Sequence, residues 1–170
     1  TRKNVSLMLI DEKIKLKTAS YSFIRPMQIG ASLVQIDKKI ETFCFELGLK
    51  LGIAFQTQDD LLDIIAETKT LNKNTFKDIS ENQHTYFTNY IFQNGTNEQK
   101  EKLRKFLGLV LTDSDKKEIR DLFYSSGAIN FGQKIIKKNF TDAVNIIAAM
   151  NIKNKDKFYN LITDIKTRTY

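Results

Sequence analysis

The sequence has few of the residues that break helices or bind transition metals. One proline and seven glycines in 170 residues leave little turn chemistry, so long helices are expected. No alternating, strand-like run is bounded by turn residues, which favours an all-α fold. With one histidine and one cysteine, an intrachain disulfide and the usual His/Cys zinc site are excluded, and a Cys/His nucleophile pair has little scope.

Long apolar runs and clustered positive charge are also missing. No apolar stretch approaches the roughly 20 residues that cross a bilayer, and no signal peptide opens the chain, so a cytoplasmic protein without a transmembrane segment is predicted. The net charge of +7 favours anionic ligands such as phosphorylated substrates. The 27 lysines and arginines are spread along the chain without an arginine cluster, which argues against nucleic-acid binding.

The most informative stretch runs from residue 48 to residue 63 and has helical periodicity. An apolar run before the acids, together with Leu61 and Leu62, predicts an amphipathic helix whose back lies in a core. The acids are then expected to face a cleft or solvent. Positions three and four apart share a helix face, so one stripe carries Gly48, Gly52, Gln56, Asp59, Asp60 and Asp63.

Three carboxylates within one and a half turns repel one another, so positive charge is expected to compensate them. Mg²⁺ suits this arrangement because it takes oxygen ligands, usually one or two carboxylates together with waters and substrate phosphates. An acidic, solvated helix face is the alternative. The Asp-Asp-x-x-Asp pattern alone does not separate these two interpretations.

The wider pattern resembles a known family. The run Gly-x-x-x-Gly-x-Ala-Phe-Gln-x-x-Asp-Asp-x-x-Asp, from Gly48 to Asp63, is similar to the second aspartate-rich region of the trans-isoprenyl diphosphate synthases, the polyprenyl synthetase family. Lys17-Thr18-Ala19 resembles the Lys-Thr-Ala/Gly element of that family, which lies across the cleft from the aspartates. Leu71-Asn72-Lys73 resembles its Leu-Gly-Lys, and Lys77-Asp78 a Lys-Asp found slightly later.

This resemblance implies an all-α, antiparallel helical bundle of the isoprenoid synthase type, here partial because the N-terminal helices are lacking. It implies a homodimeric trans-prenyltransferase that elongates isoprenoids by Mg²⁺-dependent transfer of an allylic prenyl group onto isopentenyl diphosphate. The metal would be held foremost by Asp59, with Asp60 and Asp63 beside it. The allylic diphosphate would be bound by Lys17, Thr18, Gln56, Lys73 and Lys77, of which Lys17, Thr18 and Gln56 are the expected catalytic residues.

Several family features are absent from the sequence. The first aspartate-rich motif, its adjoining arginine pair and the Gly-Lys-Arg pocket for isopentenyl diphosphate do not occur. Residues 1–170 are therefore predicted to be the C-terminal part of a single isoprenoid synthase domain, inactive alone. A further departure is Asn82-Gln83, which stands where the family commonly has Gly-Lys, so that Gln83 cannot supply the usual charge.

Two other functions remain open. The chain fits a non-catalytic small subunit or scaffold partner of a heteromeric prenyl diphosphate synthase, an interpretation that Asn72 and Gln83 favour and the intact aspartates oppose. A Mg²⁺-dependent terpene cyclase of related fold fits less well, because cyclases usually lack the Phe-Gln-x-x-Asp-Asp run. Product length is not predicted, since in this family it is set mainly just before the missing first motif.

Apolar periodicity and capping signals predict the helix boundaries. Pro26 is expected to stop or kink the first helix, and residues 66–79 to form a surface loop over the acidic face. Asp37 is the expected N-cap of the long helix, whereas capping boxes at Ser80 and Thr96 and a cap at Thr112 are expected to start later ones. The predicted helices include residues 5–25, 27–36, 38–65, 81–93, 97–111 and 155–167.

Overall fold

The computed structural model describes residues 5–33, 37–66 and 75–168. These residues are predominantly helical and contain no strand, which confirms the all-α prediction for this part of the chain. A π-helical segment, Lys15–Ile24, joins the first two α-helices. The α-helices are α1 Leu7–Ile14, α2 Arg25–Ser32, α3 Lys38–Ile65, α4 Lys77–Ser80, α5 Tyr86–Asn94, α6 Asn97–Phe106, α7 Asp113–Ser125, α8 Ala128–Ala149 and α9 Lys155–Thr167.

The long helix α3 has the predicted boundaries. The side chain of Asp37 accepts a hydrogen bond from the Ile40 amide at 2.9 Å, so this residue caps the helix as its type suggests. Twenty-eight residues make α3 about 42 Å long. One helix therefore carries both glycines and all three aspartates of the predicted stripe.

Pro26 does not end the first helical run. It lies in the first turn of α2, where the missing amide proton of proline is least costly. The π-helix ends at Ile24 and α2 follows without a break at Arg25. The wider π turn accommodates buried positions at intervals of four and five residues, namely Ile10, Ile14, Ala19 and Ile24, and Thr18 is buried beside Ala19. The predicted helix over 27–36 is observed only to Ser32, and residues 34–36 are outside the described part.

The start of α5 also differs from the prediction. Its N-cap is Thr85, whose hydroxyl accepts the Thr88 amide, rather than Ser80, which ends α4. The predicted caps Thr96 and Thr112 are confirmed by capping boxes with Gln99 and Asp115, although α6 ends at Phe106 and not near residue 111. The predicted range of α9 is confirmed.

By their contacts, the described residues form two compact units. The first comprises residues 5–10, 57–66 and 75–134, with a core that includes Phe76, Phe87, Leu103, Ile119 and Phe123. The second comprises residues 11–33, 37–56 and 135–168, with a core on α3, α8 and α9 that includes Phe43, Leu47, Leu51, Phe140 and Ile147. Helices α3 and α8 each run from one unit into the other.

Two residues of the predicted surface loop are in fact core residues. Phe76 and Ile79 are buried in the first unit, with 0% and 2% of their surfaces exposed. Residues 67–74 of that loop lie outside the described part.

Candidate functional site

Helix α3 gives its three aspartates different surroundings. Leu61 and Ile64, on the apolar side of its last turns, are buried in the core of the first unit. Asp60 is buried with them, at 6% exposure, whereas Asp59 and Asp63 are half-buried. The expectation that all three acids face a cleft or solvent is therefore wrong for Asp60.

Asp63 is tied by three hydrogen bonds to the short helix α4 and to its N-cap residue, Phe76. Its carboxylate accepts the amide protons of Lys77 at 3.1 Å and Asp78 at 3.3 Å, one on each oxygen. Its carbonyl accepts the Phe76 amide at 3.1 Å. Burial raises the pKa of Asp63 from 3.8 to about 6, and the nearby Asp78 and Asp59 carboxylates add to that rise, while the two amides oppose it.

Arg120 on α7 is a charged residue of this region that the sequence did not reveal. Its Nε donates to the Ile64 carbonyl at 3.0 Å and its Nη2 to the Ala66 carbonyl at 2.8 Å. These carbonyls lie at the C-terminal end of α3, where helix carbonyls lack partners and the dipole is negative. Lone arginines on amphipathic helices are common, so no sequence signal marks this contact.

In the second unit, the π-helix approaches α3 unusually closely. A Cβ added to Gly52 would lie 2.3 Å from the Ala19 Cβ, and one added to Gly48 would lie 2.7 Å from an Ile24 side-chain carbon. Thr18, next to Ala19, donates its hydroxyl proton to Gln56 Oε1 at 2.6 Å. The structure therefore brings together two residues predicted to bind the same diphosphate.

The predicted lysines fall in different places. Lys17 is exposed in the second unit, adjacent in sequence to buried Thr18. Lys77 is exposed in the first unit, with its ammonium 3.6 Å from a Glu81 carboxylate oxygen. Lys73 lies outside the described residues.

The Asn82-Gln83 turn keeps a left-handed conformation. Asn82 has φ of +56°, a region in which glycine is unstrained and asparagine is better tolerated than most residues. The Gln83 amide donates to the Asp78 carbonyl at 2.7 Å. The backbone at position 82 is thus compatible with the glycine of the family's Gly-Lys pair. The chemical difference from that pair is the neutral side chain of Gln83.

Within the described ranges, no group of three or more His, Cys, Asp or Glu side chains is arranged to hold a metal ion. The donor set on α3 fits Mg²⁺ only as a partial site, because this ion commonly takes one or two carboxylates and completes its shell with water and phosphate oxygens. Both carboxylate oxygens of Asp63 already accept backbone amides in this arrangement.

The fold is that of the prenyl synthases. A crystal structure of geranylgeranyl pyrophosphate synthase from Corynebacterium glutamicum, complexed with isoprenyl diphosphate and magnesium, matches 96% of this chain and 47% of its own with a TM-score of 0.88 at 24% identity. The polyprenyl synthetase family model matches residues 1–124. The chain belongs to the polyprenyl synthetase family.

Two relatives show how much of the family architecture is present. The geranylfarnesyl diphosphate synthase of Aeropyrum pernix is 23% identical over 89% of this chain and 47% of its own length. The farnesyl diphosphate synthase of Dictyostelium discoideum is 26% identical over 91% of this chain and 40% of its own. The chain thus spans less than half the length of these relatives.

None of the helices among the described residues has the length and apolar character needed to span a bilayer.

Proposed function

We propose that residues 1–170 are the C-terminal part of a single isoprenoid synthase domain that transfers an allylic prenyl group onto isopentenyl diphosphate in a Mg²⁺-dependent reaction. The observation that supports this most is the 2.6 Å hydrogen bond between Thr18 and Gln56. It links the Lys-Thr element to α3 one helical turn before Asp59 and Asp60. Membership of the polyprenyl synthetase family and the prenyl synthases among the relatives also support this proposal.

In this proposal Asp59, with Asp60 and Asp63 near it, holds Mg²⁺. When bound, the ion supplies Lewis-acid stabilisation of the negative charge that develops on the departing diphosphate. Lys17 adds a compact positive charge for the same group, and Lys73 and Lys77 add two more. These residues favour breakage of the allylic carbon–oxygen bond, whose electron pair leaves with the diphosphate, and they keep that product bound.

Thr18 and Gln56 orient the substrate. The Thr18 proton that the structure directs to Gln56 Oε1 would go to a diphosphate oxygen instead, because a hydroxyl proton rotates to suit its acceptor. Gln56 then presents its amide to the same group. Because both side chains are neutral, this pair fixes the position of the substrate and adds no charge.

An apolar surface supports the view that further helices complete the domain. Large side chains are exposed on the π-helix and α2, opposite the residues that pack on α3, and an apolar helix on both faces is normally an internal one. Two of them, Tyr21 and Ile29, are 82% and 64% exposed. We define this outer face by Leu16 and Tyr21 on the π-helix, Ile29 on α2 and Leu33 directly after α2.

Binding of inorganic diphosphate to the 170-residue chain tests the site. We expect calorimetry to detect binding with Mg²⁺ and at least tenfold weaker binding after Asp59→Asn or Lys17→Ala. Asp121→Asn, an exposed carboxylate on α7, is the matched control and should bind like the wild type. Equal binding with and without Mg²⁺, or in the Asp59 and control variants, would contradict the assigned site.

Turnover tests the reaction. We expect the isolated chain to give no product with allylic diphosphate, isopentenyl diphosphate and Mg²⁺, because the first metal motif is absent. A longer protein containing this segment should elongate the allylic substrate, and Asp59→Asn in it should lower kcat by at least a hundredfold. Elongation by the isolated chain would show that these residues suffice.

The neutral Gln83 supports a second candidate, a non-catalytic subunit of a heteromeric synthase. Such a subunit would show no turnover of its own and would raise that of a catalytic partner. Restoring charge by Gln83→Lys would then leave diphosphate affinity unchanged, whereas the synthase proposal expects it to rise.

A further inference from the structure

Arg120 joins two stretches of the first unit that are separated in sequence. Its guanidinium donates to the carbonyls of Ile64 and Ala66, at 3.0 and 2.8 Å. The same group lies over the ring of Phe76, 5.3 Å from the ring centre. The guanidinium of Arg120 therefore contacts both the C-terminal end of α3 and Phe76, the N-cap residue of α4.

Phe76 is held in an unfavourable backbone conformation. Its φ of +62° lies in the left-handed region, where a bulky residue is a genuine outlier. Such strain persists only where surrounding contacts determine it. Here the ring is fully buried, the amide donates to the Asp63 carbonyl at 3.1 Å, and the guanidinium covers the ring face.

The left-handed residue aims the next two amides at Asp63. Lys77 and Asp78 follow Phe76 directly, and their amide protons go one to each carboxylate oxygen. The left-handed backbone of Phe76, at the N-cap of α4, directly precedes these two amides. Arg120 thus contacts the end of α3 through two carbonyls and this N-cap residue through its ring.

We propose that Arg120 is a positioning residue for the diphosphate site: with Phe76 and Asp63 it forms a clamp that fixes α4, and with it Lys77, against the acidic end of α3. The metal-site part of this inference rests on the proposed function, whereas the clamp itself does not. Asp63 then acts mainly by orienting α4. Arg120 also supplies positive charge that the acidic end of α3 requires.

Arg120→Gln separates the clamp from overall stability. Glutamine retains a donor but loses the forked, charged geometry that reaches two carbonyls and a ring. Below its unfolding transition, we expect the amides of Phe76, Lys77 and Asp78 to exchange hydrogen at least tenfold faster in the variant, while those of α6 and α9 do not change. Mg²⁺-dependent affinity for inorganic diphosphate should fall by about tenfold, with partial recovery in Arg120→Lys.

The matched control is Arg104→Gln. Arg104 also lies over a phenylalanine, 5.5 Å from the Phe92 ring centre, and pairs with Glu101, but it contacts none of the clamp residues. It should change neither the exchange of residues 76–78 nor diphosphate affinity. Comparing Arg120→Gln with Arg104→Gln therefore separates the loss of the clamp from the general effect of losing an arginine that stacks on an aromatic ring.

The outcomes are distinct. Unchanged exchange at residues 76–78 in Arg120→Gln overturns the clamp. Faster exchange with unchanged diphosphate affinity overturns its role in the site. Absence of Mg²⁺-dependent binding in the wild-type chain counts against the proposed function, and the exchange measurement then decides the clamp alone.

Discussion

Two helical glycines have opposite surroundings at the scale of single residues. Gly52 on α3 leaves no room for a Cβ, because that atom would lie 2.4 Å from the Ala19 Cα, a backbone position that does not yield easily. Gly30 on α2 has no heavy atom within 4 Å of the equivalent point. The structure therefore assigns close helix packing to Gly52 and not to Gly30.

Substitution of each glycine by alanine should therefore have opposite signs. Gly52→Ala should lower the free energy of unfolding by about 1–3 kcal/mol because it forces helices apart. Gly30→Ala should raise it by about 0.5–1 kcal/mol, since alanine restricts the unfolded chain and favours helix. Urea denaturation followed by circular dichroism measures the free energy of unfolding of both variants. A Gly52→Ala variant as stable as the wild type would refute the close contact.

Asp63 predicts an unusual pH dependence. Its pKa is about 6 in the folded chain against an ordinary 3.8, so the folded state binds this proton more tightly than the unfolded one. Stability should consequently fall as the pH rises from about 4 to about 6, the opposite of the usual behaviour of a paired carboxylate.

Asp63→Asn should remove this contribution. Urea denaturation without Mg²⁺ between about pH 4 and pH 6 should show the free energy of unfolding decreasing less steeply in the variant than in the wild type. Asp121→Asn, an exposed acid, serves as the control and should follow the wild-type curve. A variant whose slope equals that of the wild type would contradict the raised pKa.

Helix starts show the competition between local and tertiary signals at the scale of elements. Ser80-x-x-Gln83 and Thr85-x-x-Thr88 both offer a side-chain cap within six residues. The second is used, because Ile79 is buried and Ser80 completes α4. Thr96 and Thr112 both cap their helices as predicted.

Alanine substitutions distinguish the two caps. Thr85→Ala should cost about 1–2 kcal/mol of stability, because it leaves the buried Thr88 amide at the start of α5 without its side-chain acceptor. Ser80→Ala should change stability by less than about 0.5 kcal/mol. If denaturation midpoints showed the reverse ranking, α5 would have to begin at the earlier cap.

At the scale of the whole molecule, the outer face on the π-helix and α2 exposes several large apolar side chains. Exposed apolar side chains scattered singly need no explanation, but several on one helical run indicate a surface that another element covers. The two relatives described above are more than twice as long as the segments that this chain matches.

The isolated chain should therefore associate through this face. Tyr21→Asp combined with Ile29→Asp should reduce self-association and binding of a hydrophobic dye while leaving the circular dichroism spectrum unchanged. Val110→Asp, at an apolar position 97% exposed in the first unit, is the matched control and should leave both properties as they are. Equal effects of the two changes, measured by light scattering, would show that the outer face has no special role.

The sequence by itself determined the all-α class, the boundaries of α3 and α9, the family and the candidate acids, because these depend on local periodicity, capping chemistry and motif spacing. Only the tertiary structure decided that Thr18 bonds Gln56, that Asp60 is buried, and that Asp63 holds α4. It alone identified Arg120, since a contact between α7 and the end of α3 joins residues more than fifty positions apart. Local pattern carries no information about which distant side chain satisfies a helix end, and packing supplies that choice.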